Sequence, residues 1–400
     1  MMKFERMTRF KSFEMPTVVK SSVGAVHHVG EEGKKLGVSK AMIVTDDRLY
    51  QAGVVEPIER RLRNAGIKVF VFREVRGEPD TFLVARGSAA FNEHNCDGLV
   101  AVGGGSCMDT AKAIGVEVVH RAPVLHYEAS DQGKPLEKRI PPLITIPTTA
   151  GTGSEVTQWA VIKDPEREIK FNTGGPLIAA HVAIIDPELH VSMPPHVTAA
   201  TGIDALSHAI ECYTCHWAQP ITDAVALLAI EYVSKYIRRA YADGHDMEAR
   251  HGMAQAAMLA GLSYGSESAG AAHAMSQTLG GMIPVMHGQC VSAMLPAVME
   301  YNWMGNPEKF ARIAEALGVN TADMSVEEAA KQSVREVERL VRELNIPSLS
   351  EQGVNPGEID RYAQAALEDP QTVGNPRDID LEGYKWLYRR CLGLEESTLS

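Results

Sequence analysis

Cysteine is scarce in this chain of 400 residues: Cys96, Cys107, Cys212, Cys215, Cys290 and Cys391 are scattered without the paired spacing of a disulfide framework. The single CxxC, Cys212 and Cys215, falls late in a helix-like segment and has no second CxxC to complete a zinc site, so reduced thiols are expected. Long apolar runs are missing too. No stretch approaches the roughly 20 apolar residues that cross a bilayer, and the opening MMKFERMTRFKSFEMP mixes charge with Phe where a signal sequence has an apolar core. A cytoplasmic location and no membrane partner are the expectations. Positive charge is the third shortage. Lys and Arg number 39 against 51 Asp and Glu, a net charge of −12, and the longest basic cluster, Arg60, Arg61 and Arg63, reads as a solvated helix face. Nucleic acid, which is bound through clustered cations, is therefore not an expected partner.

What is present is enough apolar residue for a large core, 45% hydrophobic against 22% charged, over a length that favours two domains. From Ala41 short apolar runs alternate with amphipathic stretches: AMIVTD, a helix-like LYQAGVVEPIERRLRNAG, KVFVF, another helix, then DGLVAVGGG. That rhythm is the βαβ pattern of a parallel sheet. Further strands are expected in PPLITIPTT (141–149) and HVAIIDP (181–187), with the polar DPEREIKFNTGG between them as hairpin or loop. After Pro195 the pattern turns to Ala-, Leu- and Met-rich helical spacing, broken at Pro220, Gly265, Pro284, Pro307, Pro347 and Pro356. The expected architecture is an α/β domain with a Rossmann-like parallel sheet over 1–193 and an all-helical domain over 194–400. A cleft between two such halves is the default ligand site.

Two loops carry the first functional signal. Gly103-Gly104-Gly105-Ser106 leaves a strand and enters a helix, where glycines admit a pyrophosphate close to the backbone and free N–H groups favour its charge. The GxGxxG spacing is absent, and a glycine-rich turn alone serves equally well as a tight connection. The second loop, Pro147-Thr148-Thr149-Ala150-Gly151-Thr152-Gly153-Ser154-Glu155, also follows a strand and offers hydroxyls for ribose, phosphate or amide. Both leave carboxyl ends of strands, where open α/β sheets bind ligands. Asp46, at the end of the first strong strand, suits adenosine ribose hydroxyls and repels a 2′-phosphate, which favours NAD(H) over NADP(H).

The second signal is a possible metal set. Asp204 and His208, four apart in GIDALSHAIE, share one helix face; His273 lies in SAGAAHAMSQTLGG and His287 opens a helix after Pro284. A lone histidine on an apolar helix is ordinarily a hydrogen-bonded core residue. Taken together, one carboxylate and three imidazoles suit Fe2+ or Zn2+ as a Lewis acid, with no thiolate to close the site. Such an ion lowers the pKa of an alcohol hydroxyl so that hydride can leave toward a nicotinamide.

At this point the sequence resembles the iron-containing (group III) alcohol dehydrogenase family, related to glycerol dehydrogenase and dehydroquinate synthase. The matching segments, in order, are VTDDRLYQAG, GGGSCMDTAKAIG, PTTAGTGSEVT, IDPEL, TGIDALSHAIECY, GAAH, and HGQC followed by MLPAVMEYN, with NIPSLSEQGV nearer the C-terminus. The resemblance implies a dehydroquinate synthase-like fold, a small alcohol or aldehyde substrate, NAD(H), and Fe2+, with Zn2+ as the alternative, held by Asp204, His208, His273 and His287. It also implies cofactor contacts from Asp46, Gly104, Gly105, Ser106, Asp109, Thr148, Thr149 and Thr152, with Lys170 near the nicotinamide ribose. One position departs: many members carry a second histidine four residues after the ligand histidine, and here it is Gln277. Glutamine hydrogen-bonds but does not titrate, so a proton relay must use cofactor hydroxyls, water or another residue.

The leading expectation is reversible oxidation of a small alcohol, with a homodimer as the commonest closed assembly. A zinc polyol oxidoreductase of the glycerol dehydrogenase kind, a dehydroquinate synthase-like lyase and a non-catalytic nucleotide-binding protein are the competing readings. The lyase wants a basic phosphate pocket, and no basic cluster lies near the ligands. Trp159, Tyr264, Met282 and Trp303 are wall candidates for the substrate pocket, and each serves equally as core.

Overall fold

The computed structural model describes residues 12–266 and 268–399. The N-terminal stretch read above lies, up to residue 11, outside the described residues. The chain forms two compact units, Glu14–Met193 and Pro194–Ser400, the second also taking in Ser12 and Phe13.

In the first unit, β1 (Val18–Ser21), β2 (Lys40–Asp46), β3 (Lys68–Val75), β4 (Gly98–Gly103), β5 (Leu143–Pro147) and β8 (Val182–Ile185) make a six-stranded sheet in the order β1-β8-β5-β4-β2-β3. All its pairings are parallel. The segment read as hairpin or loop is a two-stranded antiparallel hairpin, β6 (Trp159–Asp164) with β7 (Ile169–Gly174). The helix-like stretch after β2 is two helices, α2 (Asp47–Gln51) and α3 (Glu56–Asn64), parted where Gly53 takes φ +77°. That conformation is natural to glycine and ends the first helix.

Period-two alternation sends side chains to the two faces of the sheet. On one face Met42, Val44, Leu99 and Ala101 pack with Leu83, Val84 and Phe91 of α4 (Thr81–Glu93) and with Met108, Ala111 and Ile114 of α5 (Gly105–His120). On the other, Ala41, Ile43, Val100 and Val102 pack with Val29 of α1 (Val29–Lys35) and with Ile58 and Leu62 of α3. Burial on both faces explains why β2 and β4 read as continuous apolar runs. The strand order reverses between β2 and β4, the point at which such sheets bind ligands beyond their carboxyl ends.

The second unit is helical: α6 (Pro195–Thr214), α7 (Pro220–Ala242), α8 (Met247–Ser263), α9 (Ala271–Met282), α10 (His287–Asn302), α11 (Pro307–Ala316), α12 (Val326–Glu343), α13 (Ile359–Glu368) and α14 (Leu381–Cys391). Met275, Leu279, Val291 and Met294 of α9 and α10 pack against Tyr362, Tyr384 and Tyr388 of the last two helices. No helix among the described residues is long and apolar enough to cross a membrane. All six cysteines are free thiols, Cys212 and Cys215 buried in and just after α6.

Ile43 is fully buried on a strand paired on both sides. Ile43→Ala is expected to cost about 2–5 kcal/mol, read as an earlier urea midpoint for the unfolding of this unit.

Candidate metal centre and dinucleotide cradle

Helix α6 is buried from Thr198 to Thr214 at nearly every position, so polar side chains within it require partners. Asp204 and His208 meet that condition one turn apart, with His208 Nδ1 3.7 Å from Asp204 Oδ1. Two further imidazoles reach the same carboxylate oxygen: His273 Nε2 at 3.8 Å from α9 and His287 Nε2 at 3.7 Å from the first residue of α10. Asp204, His208 and His273 offer ligand atoms all within 4.8 Å of one another. His287 stands slightly apart, its ring 5.6 Å from that of His273 and its side chain 27% exposed.

His208 Nδ1 and His273 Nε2 are buried nitrogens with no hydrogen-bond partner among the described residues. Buried polar atoms are seldom left so, and two that face a carboxylate at nearly 4 Å fit a divalent cation. Burial, together with neighbouring His273, holds the His208 imidazole well below its ordinary pKa and therefore neutral, as a ligand must be. For His273 burial acts the same way, but the carboxylates of Glu211 and Asp204 outweigh it and raise the pKa.

The outer ring of this cluster was not anticipated from sequence. Glu211, buried and two turns along α6 from Asp204, accepts hydrogen bonds from His273 Nδ1, from the Ala272 N–H at 2.8 Å and from the His273 N–H at 3.3 Å. Ser276 Oγ lies 2.9 Å from His287 Nδ1. The available signal was Glu211 itself, an acidic residue at i+7 from Asp204 on a helix rich in small and apolar residues. Of the four wall candidates, Tyr264 is the one with an aromatic contact to these ligands, its ring edge-on to His208 at 5.4 Å and to His273 at 6.4 Å. Trp159 instead closes over Gly174 in the β6–β7 hairpin, Trp303 meets Lys331, and Met282 ends α9.

In the α/β unit the two glycine-rich loops converge. Gly103 ends β4 at φ +152°, and a Cβ there would meet Cys107 Sγ at 2.4 Å. A Cβ on Gly104 would approach Thr149 Oγ1 at 3.2 Å, and one on Gly105 would meet Thr152 at 2.7 Å. Ser106 follows in the first turn of α5, Thr148 N–H donates to Gly103 O at 2.9 Å, and Thr152 Oγ1 accepts from Ser154 N–H at 3.2 Å. Asp46 stands at the end of β2, where one carboxylate oxygen caps α2 through the Leu49 N–H at 2.9 Å. Asp109 accepts from Ser154 Oγ at 2.6 Å and from the Val161 N–H at 3.0 Å, so its carboxylate ties α5 to the loop and the hairpin. Lys170, on β7, forms a partly buried ion pair with Glu78.

Sequence reasoning missed Lys112. Fully buried on α5, it donates to Ser154 Oγ at 3.0 Å, Thr157 O at 3.1 Å and Trp159 O at 2.7 Å, binding the second loop to the helix that opens at the first. Burial lowers its pKa to about 8, against the opposing pull of Asp109 and Glu155.

A glycine-lined helix start at a strand-order reversal and, in the other unit, an imidazole-carboxylate cluster together define a nucleotide- and metal-dependent oxidoreductase. Comparison with known proteins agrees. The family model for iron-containing alcohol dehydrogenases matches residues 16–187 and that for the C-terminal part of the same family matches 198–392. A choline dehydrogenase of Bacillus subtilis (strain 168) is 66% identical over 398 residues, covering 100% of this chain and 99% of that one. The NAD-dependent methanol dehydrogenase of Bacillus methanolicus is 40% identical over 95% of this chain and 100% of its own. A crystal structure of 1,3-propanediol oxidoreductase superimposes with a TM-score of 0.92 at 37% identity, covering 96% of this chain and 100% of that one. The chain belongs to the iron-containing alcohol dehydrogenase family, whose members interconvert alcohols and their carbonyl counterparts.

Removing His273 takes one nitrogen from the cluster and nothing from the cradle. His273→Ala is expected to abolish metal retention, read by elemental analysis after anaerobic purification, while NADH binding by fluorescence titration stays within about twofold. Full metal content in the variant would refute the ligand assignment.

Proposed function

We propose that this enzyme oxidises choline, or a closely similar quaternary-ammonium alcohol, to its aldehyde, with NAD+ as hydride acceptor and Fe2+ as resident ion. The observation that carries the substrate is the 66% identity, across essentially both whole chains, to a protein named choline dehydrogenase. The site chemistry supports it. A quaternary ammonium has no N–H to donate and is recognised by aromatic faces and carboxylates. Tyr264 supplies a ring beside His208 and His273, and the charges of Glu211, Asp369 and Asp204 are felt at that phenol.

In this reading Asp204, His208, His273 and His287 hold the ion. The bound ion supplies Lewis acidity that lowers the pKa of the substrate hydroxyl, and NAD+ supplies the acceptor for the hydride. The net change is alcohol plus NAD+ to aldehyde, NADH and one proton. Within the protein, Glu211 and Ser276 hydrogen-bond the Nδ1 atoms of His273 and His287, and the burial of Asp204, His208 and His273 keeps bulk water from the ligands. Gln277, 4% exposed on the same helix as His273, stands where many family members carry an imidazole and does not take up the proton. Gly103 to Ser106, Thr148, Thr149 and Thr152 cradle the dinucleotide, Asp46 meets its adenosine ribose, and Asp109 and Lys170 shape the nicotinamide end of the loop. The proposal includes a cytoplasmic homodimer, the commonest closed assembly.

Charge recognition separates choline from its neutral isostere 3,3-dimethyl-1-butanol. Tyr264→Leu is expected to raise KM for choline about 5- to 30-fold, the size of a desolvated cation–π contact, with little change for the isostere. An unmodified enzyme that prefers the isostere, or that leaves choline unoxidised while turning over other alcohols, would overturn the substrate. Asp46→Gly is expected to raise kcat/KM for NADP+ relative to NAD+; an unmodified enzyme that prefers NADP+ would contradict the cofactor assignment.

A further inference from the structure

The Glu211 carboxylate sits among three N–H groups: the backbone N–H of Ala272, the backbone N–H of His273 and the His273 ring nitrogen Nδ1. The two backbone groups belong to the first turn of α9, where helix N–H groups lack intrahelical partners. The N–H of Ala271 is taken up at 3.3 Å by Asn375 Oδ1. The helix start is built around the carboxylate: a Cβ at Gly270 would stand 2.8 Å from Glu211 Oε1.

We propose that Glu211 is the positioning residue that sets the tautomer and ring orientation of His273, so that Nε2 presents a lone pair toward Asp204 and a divalent cation. The inference rests on the metal reading of the cluster. An ionised carboxylate only accepts hydrogen bonds, so the His273 nitrogen facing it must carry the hydrogen. A neutral imidazole has one N–H, and with that hydrogen on Nδ1 the lone pair falls on Nε2, the nitrogen 3.8 Å from Asp204 Oδ1. The same carboxylate holds the start of α9, so ring and backbone are fixed by one group on the helix that also carries Asp204 and His208. Ser276 gives His287 no such instruction, because a hydroxyl donates or accepts.

Glutamine tests this closely because it keeps the shape and changes the donors. Oε1 takes the Ala272 N–H while Oε2 takes both the His273 N–H and Nδ1, so the NH2 of glutamine must face either the Ala272 N–H or the His273 N–H together with Nδ1. In the second case Nδ1 must accept, the hydrogen moves to Nε2 and the lone pair is withdrawn from the cation. Glu211→Gln in the full chain is expected to weaken Zn2+ binding about 10- to 100-fold, measured by competition with a chromogenic chelator, and to alter the ligand-field absorption of the Co2+-loaded protein. NADH binding, which belongs to the other unit, stays unchanged. A merely structural role would lower the melting temperature of metal-free protein and leave the Zn2+ dissociation constant and Co2+ spectrum alone; that result overturns the proposal. If Glu211→Gln does not fold, Zn2+-loaded parent protein carrying 15N-histidine decides the matter: a hydrogen on Nδ1 of His273 supports the assignment and one on Nε2 refutes it. A parent that binds no Zn2+, Co2+ or Fe2+ removes the metal reading itself, an outcome distinct from a parent that binds them as tightly as its variant.

Discussion

The helical unit is organised around Asp204 Oδ1, a buried carboxylate oxygen with three imidazole nitrogens at 3.7–3.8 Å in a largely apolar interior. Burying such a group costs several kcal/mol unless charge and hydrogen bonds offset it, and a divalent cation supplies that offset. The packing around it is shaped to bring the donors together. A Cβ at Gly288 would stand 3.0 Å from Ala200 O, so the absence of a side chain next to His287 lets α10 lie against α6. A Cβ at Gly202 would meet Ile237 at 2.6 Å, which shows the same close approach between α6 and α7. The missing side chain at Gly288 is therefore part of what allows the His287 imidazole on α10 to reach a carboxylate on α6.

The α/β unit solves a different problem with comparable means. Two loops from neighbouring strands must expose backbone N–H groups and hydroxyls to an anion and still keep a fixed shape. Glycines remove the side chains that would fill the space. Lys112 and Asp109, one turn apart on α5, then hold the second loop from beneath through Ser154, Thr157, Trp159 and Val161. The cost of burying Lys112 appears in its lowered pKa of about 8, and that of burying Glu155 in a pKa raised to about 7.

Legibility in the sequence followed the range of the interaction. Asp204 and His208 share a face by helical period, and the run of β2 is apolar because helices cover it on both sides, so both were readable from local pattern. β1 escaped notice because VVKS at the sheet edge is largely exposed and has no periodic contrast. The helix break at Gly53 was hidden by apolar spacing that continues across it. Glu211 stood in plain view at i+7, but its meaning depends on His273, which is 62 positions away and comes alongside only through packing. The same holds for Lys170, whose partner Glu78 is 92 residues earlier. Neither separation leaves a mark in composition or periodicity.

With the proposed quaternary-ammonium substrate, the neutral side chain at position 277 would have a physical reason. An ammonium about 5 Å from a divalent ion held there would meet a repulsion on the order of 7 kcal/mol at an effective dielectric constant of 20. Asp204 and Glu211, both buried in α6, and Asp369 counter it, and the Tyr264 ring adds an attractive face. An imidazole one turn beyond His273 would bring a titratable group beside the cluster. Gln277, 4% exposed at that position on α9, brings none. The exchange removes an acid–base group from the helix and would leave the electrostatics governed by the ion, the carboxylates and the ammonium of the proposed substrate.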